Sequence, residues 1–139
     1  MTYRVQQKVL FKHCDPAGIV FYPRYFEIVN DAMETFFADA LATPWETFHR
    51  DRACPTVDIR CAFEAVSRHG DMLDLAIDVQ RLGRTSATVL VAATCGGEVR
   101  FRATLTLVCI ARDTMRPDPW PEETRARLEG HLADEADAG

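Results

Sequence analysis

The sequence predicts an α+β fold in which a curved antiparallel β-sheet wraps around one long central helix. Three observations predict it. Apolar residues repeat at helical spacing over one long stretch, from Pro23 to Leu41. Beyond residue 54 the apolar period changes to two and holds to Leu107. No linker or internal repeat divides the 139 residues, a length that suits one domain over residues 1–139.

The elements follow in order. Tyr3, Val5, Val9 and Phe11 share one parity and predict a half-buried strand, although Gln7 interrupts the pattern. From Lys12 to Tyr22 the periodicity stops. Pro16 pushes Asp15 toward extended backbone, and Gly18 permits a turn other residues resist, so this is a shaped loop. Pro23 suits a first helical turn. Tyr25, Phe26, Ile28, Val29, Ala32, Met33, Phe36, Phe37, Ala40 and Leu41 then form a stripe wide enough to predict a largely buried helix. A short helix is expected from Pro44 to Arg50, capped by Thr43.

Four strands should follow. Val57, Ile59, Cys61 and Phe63 alternate with polar or small neighbours, as do Leu73, Leu75, Ile77 and Val79. Thr85 to Thr94 is rich in β-branched residues, and Cys95-Gly96-Gly97-Glu98 reads as a hairpin turn. Val99, Phe101, Ala103, Leu105 and Leu107 complete the set. Pro117, Pro119 and Pro121 end the sheet, and a terminal helix is expected from Glu122 to His131. Five strands leave unpaired edges, which predicts a homo-oligomer joined edge to edge.

Composition excludes several roles. Hydrophobic residues make up 47% and charged residues 27%, the mix of a globular domain. The net charge is −5, and Glu129, Asp134, Glu135 and Asp137 lie beyond the last cation, Arg127. The acidic end at 129–139 is expected to be a frayed tail. The remainder is near neutral, with no basic stripe for nucleic acid. There is no apolar leader and no stretch long enough to span a membrane, so a cytoplasmic protein is expected. Five cysteines, none spaced as Cys-x-x-Cys, and four scattered histidines predict reduced thiols, no zinc and no cofactor.

The chemistry-bearing segment is His13-Cys14-Asp15-Pro16-Ala17-Gly18-Ile19-Val20-Phe21-Tyr22-Pro23. It puts one carboxylate in a shaped loop ahead of a long helix. The first turn of a helix offers unpaired N–H groups and partial positive charge, which can hold a developing oxyanion. A carboxylate nearby can attack a carbonyl or activate water. By itself, an Asp-Pro before a helix is more often a turn or cap. His13, two residues from Asp15, would share its face in an extended segment, and Cys14 lacks an activating partner. Asn30, Asp31 and Glu64 read as structural before functional. Trp45, Phe48 and Trp120 read as packing residues, and Arg60, Arg100 and Arg102 as solvent-facing strand residues.

The string Asp15-Pro16-Ala17-Gly18-Ile19-Val20, followed by Tyr22-Pro23 and Tyr25, resembles the active-site signature of the 4-hydroxybenzoyl-CoA thioesterase family. Looser matches are Cys54-Pro55-Thr56-Val57, Phe63-Glu64-Ala65, Gly70-Asp71-Met72-Leu73 and Arg81-Leu82-Gly83-Arg84-Thr85-Ser86, so the likeness spans roughly residues 3 to 121. It implies a hotdog fold and an acyl-CoA thioesterase working as a dimer or homotetramer, with sites at subunit interfaces. It implies Asp15 as nucleophile or general base, the Tyr22 amide polarising the carbonyl and Gly18 allowing close approach. It also implies CoA contacts from Arg81, Arg84 and Ser86. The resemblance is closest to the aromatic-acyl type, and Phe21, Tyr22, Tyr25 and Phe26 fit either an aromatic-friendly pocket or ordinary helix packing, which leaves short and medium aliphatic acyl chains open. The competing readings are a hotdog hydroxyacyl-thioester dehydratase, which usually needs a helix histidine absent between Pro23 and Leu41, and a non-catalytic CoA-binding protein.

Overall fold

The computed structural model describes residues 1–133. Five strands form one antiparallel sheet: β1 (Tyr3–Lys8), β3 (Thr56–Phe63), β4 (Met72–Leu82), β5 (Ser86–Cys95) and β6 (Glu98–Val108). Their order across the sheet is β1-β4-β5-β6-β3. The helix α1 (Pro23–Asp39) lies in its concavity. This is the hotdog arrangement expected from the sequence.

The sheet gives α1 one continuous apolar floor. Leu73, Leu75, Ile77 and Val79 of β4, Val89, Val91 and Ala93 of β5, and Phe101 and Ala103 of β6 are all at most 1% exposed. Strict alternation puts each set on the helix side. Gly96 and Gly97 take successive positive φ values of 58° and 82°, the demand of a two-residue turn matched to strand twist.

α1 is less buried than its sequence suggested. Tyr25, Ile28, Val29, Ala32, Met33, Phe36 and Phe37 form the buried stripe. Arg24, Asn30, Asp31, Glu34, Thr35 and Ala38 are exposed on the other side. The first strand ends at Lys8, and Phe11 enters a 3-10 turn (Phe11–His13) and is 80% exposed. The short helix α2 (Trp45–Phe48) is preceded by Pro44, not capped by Thr43. The Thr43 hydroxyl instead donates to the Leu41 carbonyl and meets Thr124 Oγ1 at 2.7 Å.

Two-residue strands β2 (Arg52–Ala53) and β7 (Ile110–Ala111) pair with each other, an addition the sequence did not signal. Helix α3 (Glu122–Gly130) follows the prolines. Residues 129–133, expected to fray with the acidic end, are held by backbone hydrogen bonds although Glu129, Gly130 and Leu132 stay exposed. His131 is buried and its carbonyl accepts from Val79 N–H, while Ala133 N–H donates back to Val79. The remainder of the expected tail lies outside the described residues.

Strand β3 departs most from its pattern. Ile59 pairs with Leu105 and Phe63 with Phe101, so both face the helix side. They nevertheless remain 42% and 46% exposed, because β3 is an edge of the sheet, and although Phe63 meets the Tyr25 and Phe26 rings at the start of α1, no strand covers the outer side of β3 among the described residues.

Candidate functional site

The segment from Val9 to Tyr22 is a closed loop held at both ends by the connector between β3 and β4. At its entry Val9 N–H donates to the Asp71 carbonyl at 2.7 Å, and Gly70 N–H donates to the Val9 carbonyl. At its exit Val20 N–H donates to the Ser67 carbonyl at 2.9 Å, and Ile19 bridges Arg68. Cys14 pairs with Val20, and Phe21 N–H donates to the His13 carbonyl, which zips the loop shut.

Asp15 sits at the tip. Its N–H donates to the Ile19 carbonyl, its carbonyl accepts from Gly18 N–H, and its Oδ1 accepts from Ala17 N–H at 2.9 Å. Gly18 takes φ +80°, which only glycine adopts without strain. The carboxylate is thus oriented by its own turn. It remains half-buried, and Oδ2 has no hydrogen-bond partner among the described residues.

The loop delivers the chain to the mouth of α1. Arg24 and Tyr25 N–H donate to the Phe21 and Tyr22 carbonyls, and Pro23 has no N–H. The Tyr22 N–H is left without an acceptor among the described residues, at the positive end of a 17-residue helix. A cavity of about 460 Å³ adjoins it, walled by Val20, Tyr22, Tyr25, Phe63, Glu64, Ala65 and Val66. Phe63 is its aromatic hub, 5.7 Å from the Tyr25 ring and 6.0 Å from the Tyr22 ring. Sequence reasoning placed Phe63 in a strand pattern and did not single out Val66. Only the loose Phe63-Glu64-Ala65 likeness pointed at this wall. A second, more apolar cavity of about 650 Å³ runs along α1 past Phe26, Val29 and Met33 toward Trp45 and Ile59.

His13 does not stand beside Asp15 as a base. It is 3% exposed, and its Nδ1 accepts the Leu10 N–H at 2.9 Å, which places the ring proton on Nε2. Burial, reinforced by Lys12, holds its pKa below the ordinary value, against the pull of Glu27 and Asp31. The folded state therefore favours neutral His13. Its contribution to stability is complete above about pH 6.5, the unfolded value, and is lost as pH falls toward the lowered folded value. We expect urea midpoints of the parent to drop between pH 7.5 and pH 5, and those of His13→Gln to drop less. Equal drops would show that His13 does not carry this dependence.

The predicted CoA contacts lie elsewhere. Arg81, Arg84 and Ser86 sit at the Leu82 end of β4, whereas the Asp15 loop hangs from the Met72 end. Eleven residues of strand separate these ends by about 35 Å. The turn is well supported: Gly83 N–H and Trp120 Nε1–H donate to the Ser86 carbonyl, and Arg125 Nη1 donates to that of Gly83. Arg81 and Arg84 are exposed. Asp15, Gly18 and Tyr22 thus lie on one closed loop, with Asp15 and Gly18 at its tip and Tyr22 at its exit, and Arg81, Arg84 and Ser86 form a separate group within one chain.

Arg60 is exposed as expected, and Arg102 is half-exposed against Glu64 at 3.0 Å. Arg100 is not solvent-facing: its side chain is only 12% exposed and meets Asp71 at 2.7 Å. All five cysteines are free thiols, and burial pushes Cys54 up to about 12 and Cys109 up to about 11. Among the described residues no cluster of three or more His, Cys, Asp or Glu side chains is placed to hold a metal ion. No helix among the described residues is long and apolar enough to cross a membrane.

Residues 9–128 match the family model of the thioesterase-like superfamily. A 4-hydroxybenzoyl-CoA thioesterase from Pseudomonas sp. (strain CBS-3) is 28% identical over 85 residues, 59% of this chain and 60% of that protein. The match to that relative therefore spans less than two thirds of its length. A 1,4-dihydroxy-2-naphthoyl-CoA hydrolase from Synechococcus elongatus is 26% identical over 130 residues, 91% of this chain and 95% of that protein. The crystal structure of a 1,4-dihydroxy-2-naphthoyl-CoA thioesterase from Synechocystis superposes with a TM-score of 0.85 at 19% identity, over 92% of this chain and 96% of that one. At that identity the likeness speaks to the fold.

Proposed function

This chain belongs to the thioesterase-like superfamily, and from that premise we propose that it hydrolyses acyl-CoA thioesters with Asp15 as nucleophile or general base. The observation that carries the reading is the loop itself. One closed loop presents a carboxylate oxygen and ends on a helix-mouth N–H, neither of which has a hydrogen-bond partner among the described residues. Attack on the thioester carbonyl, by Asp15 or by water it deprotonates, generates an oxyanion. The Tyr22 N–H and the α1 dipole stabilise that charge. Collapse breaks the C–S bond, and the departing thiolate takes up the proton that water gives up; on the nucleophilic path the acyl group left on Asp15 as an anhydride is then cleaved by that water, which supplies the second oxygen of the free acid and restores the carboxylate.

An aromatic acyl group is the preferred substrate class. Tyr22, Tyr25 and Phe63 line the cavity beside the free amide, and both sequence relatives are named for aromatic CoA thioesters. The test is thiol release across a panel of acyl-CoAs. Aromatic members should lead in kcat/KM, and a panel led by aliphatic chains would refute the preference.

The working unit is an oligomer, a dimer or a homotetramer built from it. β3 offers an unpaired edge with Val57 and Ile59 exposed at 60% and 42%, and a second copy pairing there covers both. Assembly also offers a role for Arg81, Arg84 and Ser86, as CoA contacts to a site belonging to a different protomer. Ile59→Arg is expected to shift the protein to monomer in size-exclusion chromatography with light scattering. An unchanged mass would place the interface elsewhere.

A further inference from the structure

We propose that Arg100 is a positioning residue for the hydrolysis, holding the Asp15 loop in place through the connector 64–71. The proposal rests on the reading of Asp15 given above. Arg100 lies in β6 next to the core residue Phe101 and points to the opposite side of the sheet. At that point β3 has ended and the chain must turn toward β4.

Arg100 engages nearly the whole turn. Its carbonyl accepts from Glu64 N–H at 2.8 Å and from Ala65 N–H at 3.2 Å. Its Nη1 donates to the Val66 carbonyl at 3.0 Å, to Ser67 Oγ at 3.2 Å and to Asp71 Oδ2 at 2.7 Å. Its Nε lies 2.9 Å from Glu98 Oε1, an ion-pair contact without hydrogen-bond alignment. Asp71 passes the constraint on, because its Oδ2 also accepts from Arg68 N–H.

Every residue so held touches the site. Ser67, fully buried, accepts from Val20 N–H, and Asp71 accepts from Val9 N–H, so the connector grips both ends of the Asp15 loop. Glu64, Ala65 and Val66 are also a wall of the cavity beside Tyr22. The guanidinium, through Val66, Ser67 and Asp71, thus adds to the Arg100 carbonyl's hold on Glu64 and Ala65 in fixing the carboxylate loop and the acyl wall relative to the same strand. No lysine can reproduce this, because an ammonium is a compact point charge without the planar fork of donors. A displacement of about 1 Å in a reacting group can cost a hundredfold in rate.

The test compares Arg100→Met, Arg100→Lys, Asp71→Asn, Asp15→Asn and Val79→Ala in thiol release, with melting curves alongside. Val79 is buried near the far end of β4 and serves as a cavity variant remote from the loop. We expect kcat of Arg100→Met to fall by about tenfold to a hundredfold with KM changed less than about twofold. Arg100→Lys should recover part of the loss, Asp71→Asn should fall between, and Val79→Ala should keep its kcat while melting earlier. A folded Arg100→Met at parental kcat overturns the proposal, as does an equal kcat loss in Val79→Ala. If Arg100→Met does not fold, parental kcat in both Arg100→Lys and Asp71→Asn overturns it. An Asp15→Asn variant with parental activity removes the Asp15 reading and this proposal together. An inactive Asp15→Asn beside fully active Arg100 and Asp71 variants removes only this one.

Discussion

Asp15→Asn is expected to lower kcat for acyl-CoA hydrolysis by about a thousandfold while leaving the fold intact. The substitution separates chemistry from structure at this site. Asparagine keeps an oxygen where Asp15 Oδ1 accepts from Ala17 N–H, so the turn closed by Gly18 and Ile19 should persist. What it removes is the negative charge, and with it both the nucleophile and the base. Because Asp15 is half-buried with no ion pair among the described residues, its replacement should change stability by no more than about 0.5 kcal/mol. Thiol release and a urea titration on the same preparation check both halves. A variant that is inactive because it is unfolded would say nothing for Asp15. One that is folded and fully active would move the chemistry to another group.

Phe101→Ala is expected to cost about 3–5 kcal/mol. Phe101 is completely buried, 4.8 Å from the Tyr25 ring, and pairs across the sheet with Phe63. It therefore supports the first turn of α1 and the aromatic wall at once. Truncation leaves a void under a helix that cannot sink into a stiff five-stranded sheet, so transfer and cavity terms add. Against a typical domain stability of about 5–15 kcal/mol, that loss is a large share. The melting temperature should fall by roughly 10–17 °C. A loss below about 1 kcal/mol would mean that the site collapses around the smaller side chain.

Much of this architecture is legible in local patterns. The helical stripe from Tyr25 to Phe37 and the period-two runs on both sides of Gly96-Gly97 are strong because each burial partner lies at a fixed spacing. Local patterns fail where burial depends on what lies opposite. Val57, Ile59 and Phe63 alternate like core residues, yet nothing in their own strand tells that it lies at an edge of the sheet. Arg100 alternates like a surface residue, and only the returning connector buries it. Two-residue strands such as Arg52–Ala53 are too short to show a period at all.

The candidate site divides the same way. Asp15, Gly18 and Tyr22 lie within eight positions of one another, so one loop suffices to gather them, and the resemblance singled out that loop. That the Tyr22 N–H has no acceptor among the described residues depends on where its neighbours' hydrogen bonds go, which no motif encodes. Arg81, Arg84 and Ser86 look like site residues by type and turn chemistry. Sequence cannot show that a full strand length separates them from Asp15 in the same chain.

The most direct test of the central claim is CoA thiol release from 4-hydroxybenzoyl-CoA by the unmodified protein, with binding of CoA measured in parallel. Rapid, saturable release with one thiol and one free acid per thioester is the predicted result. No release from this or any other acyl-CoA, with CoA still bound, would contradict it and make the chain a CoA-binding hotdog protein whose Asp15 only shapes a loop.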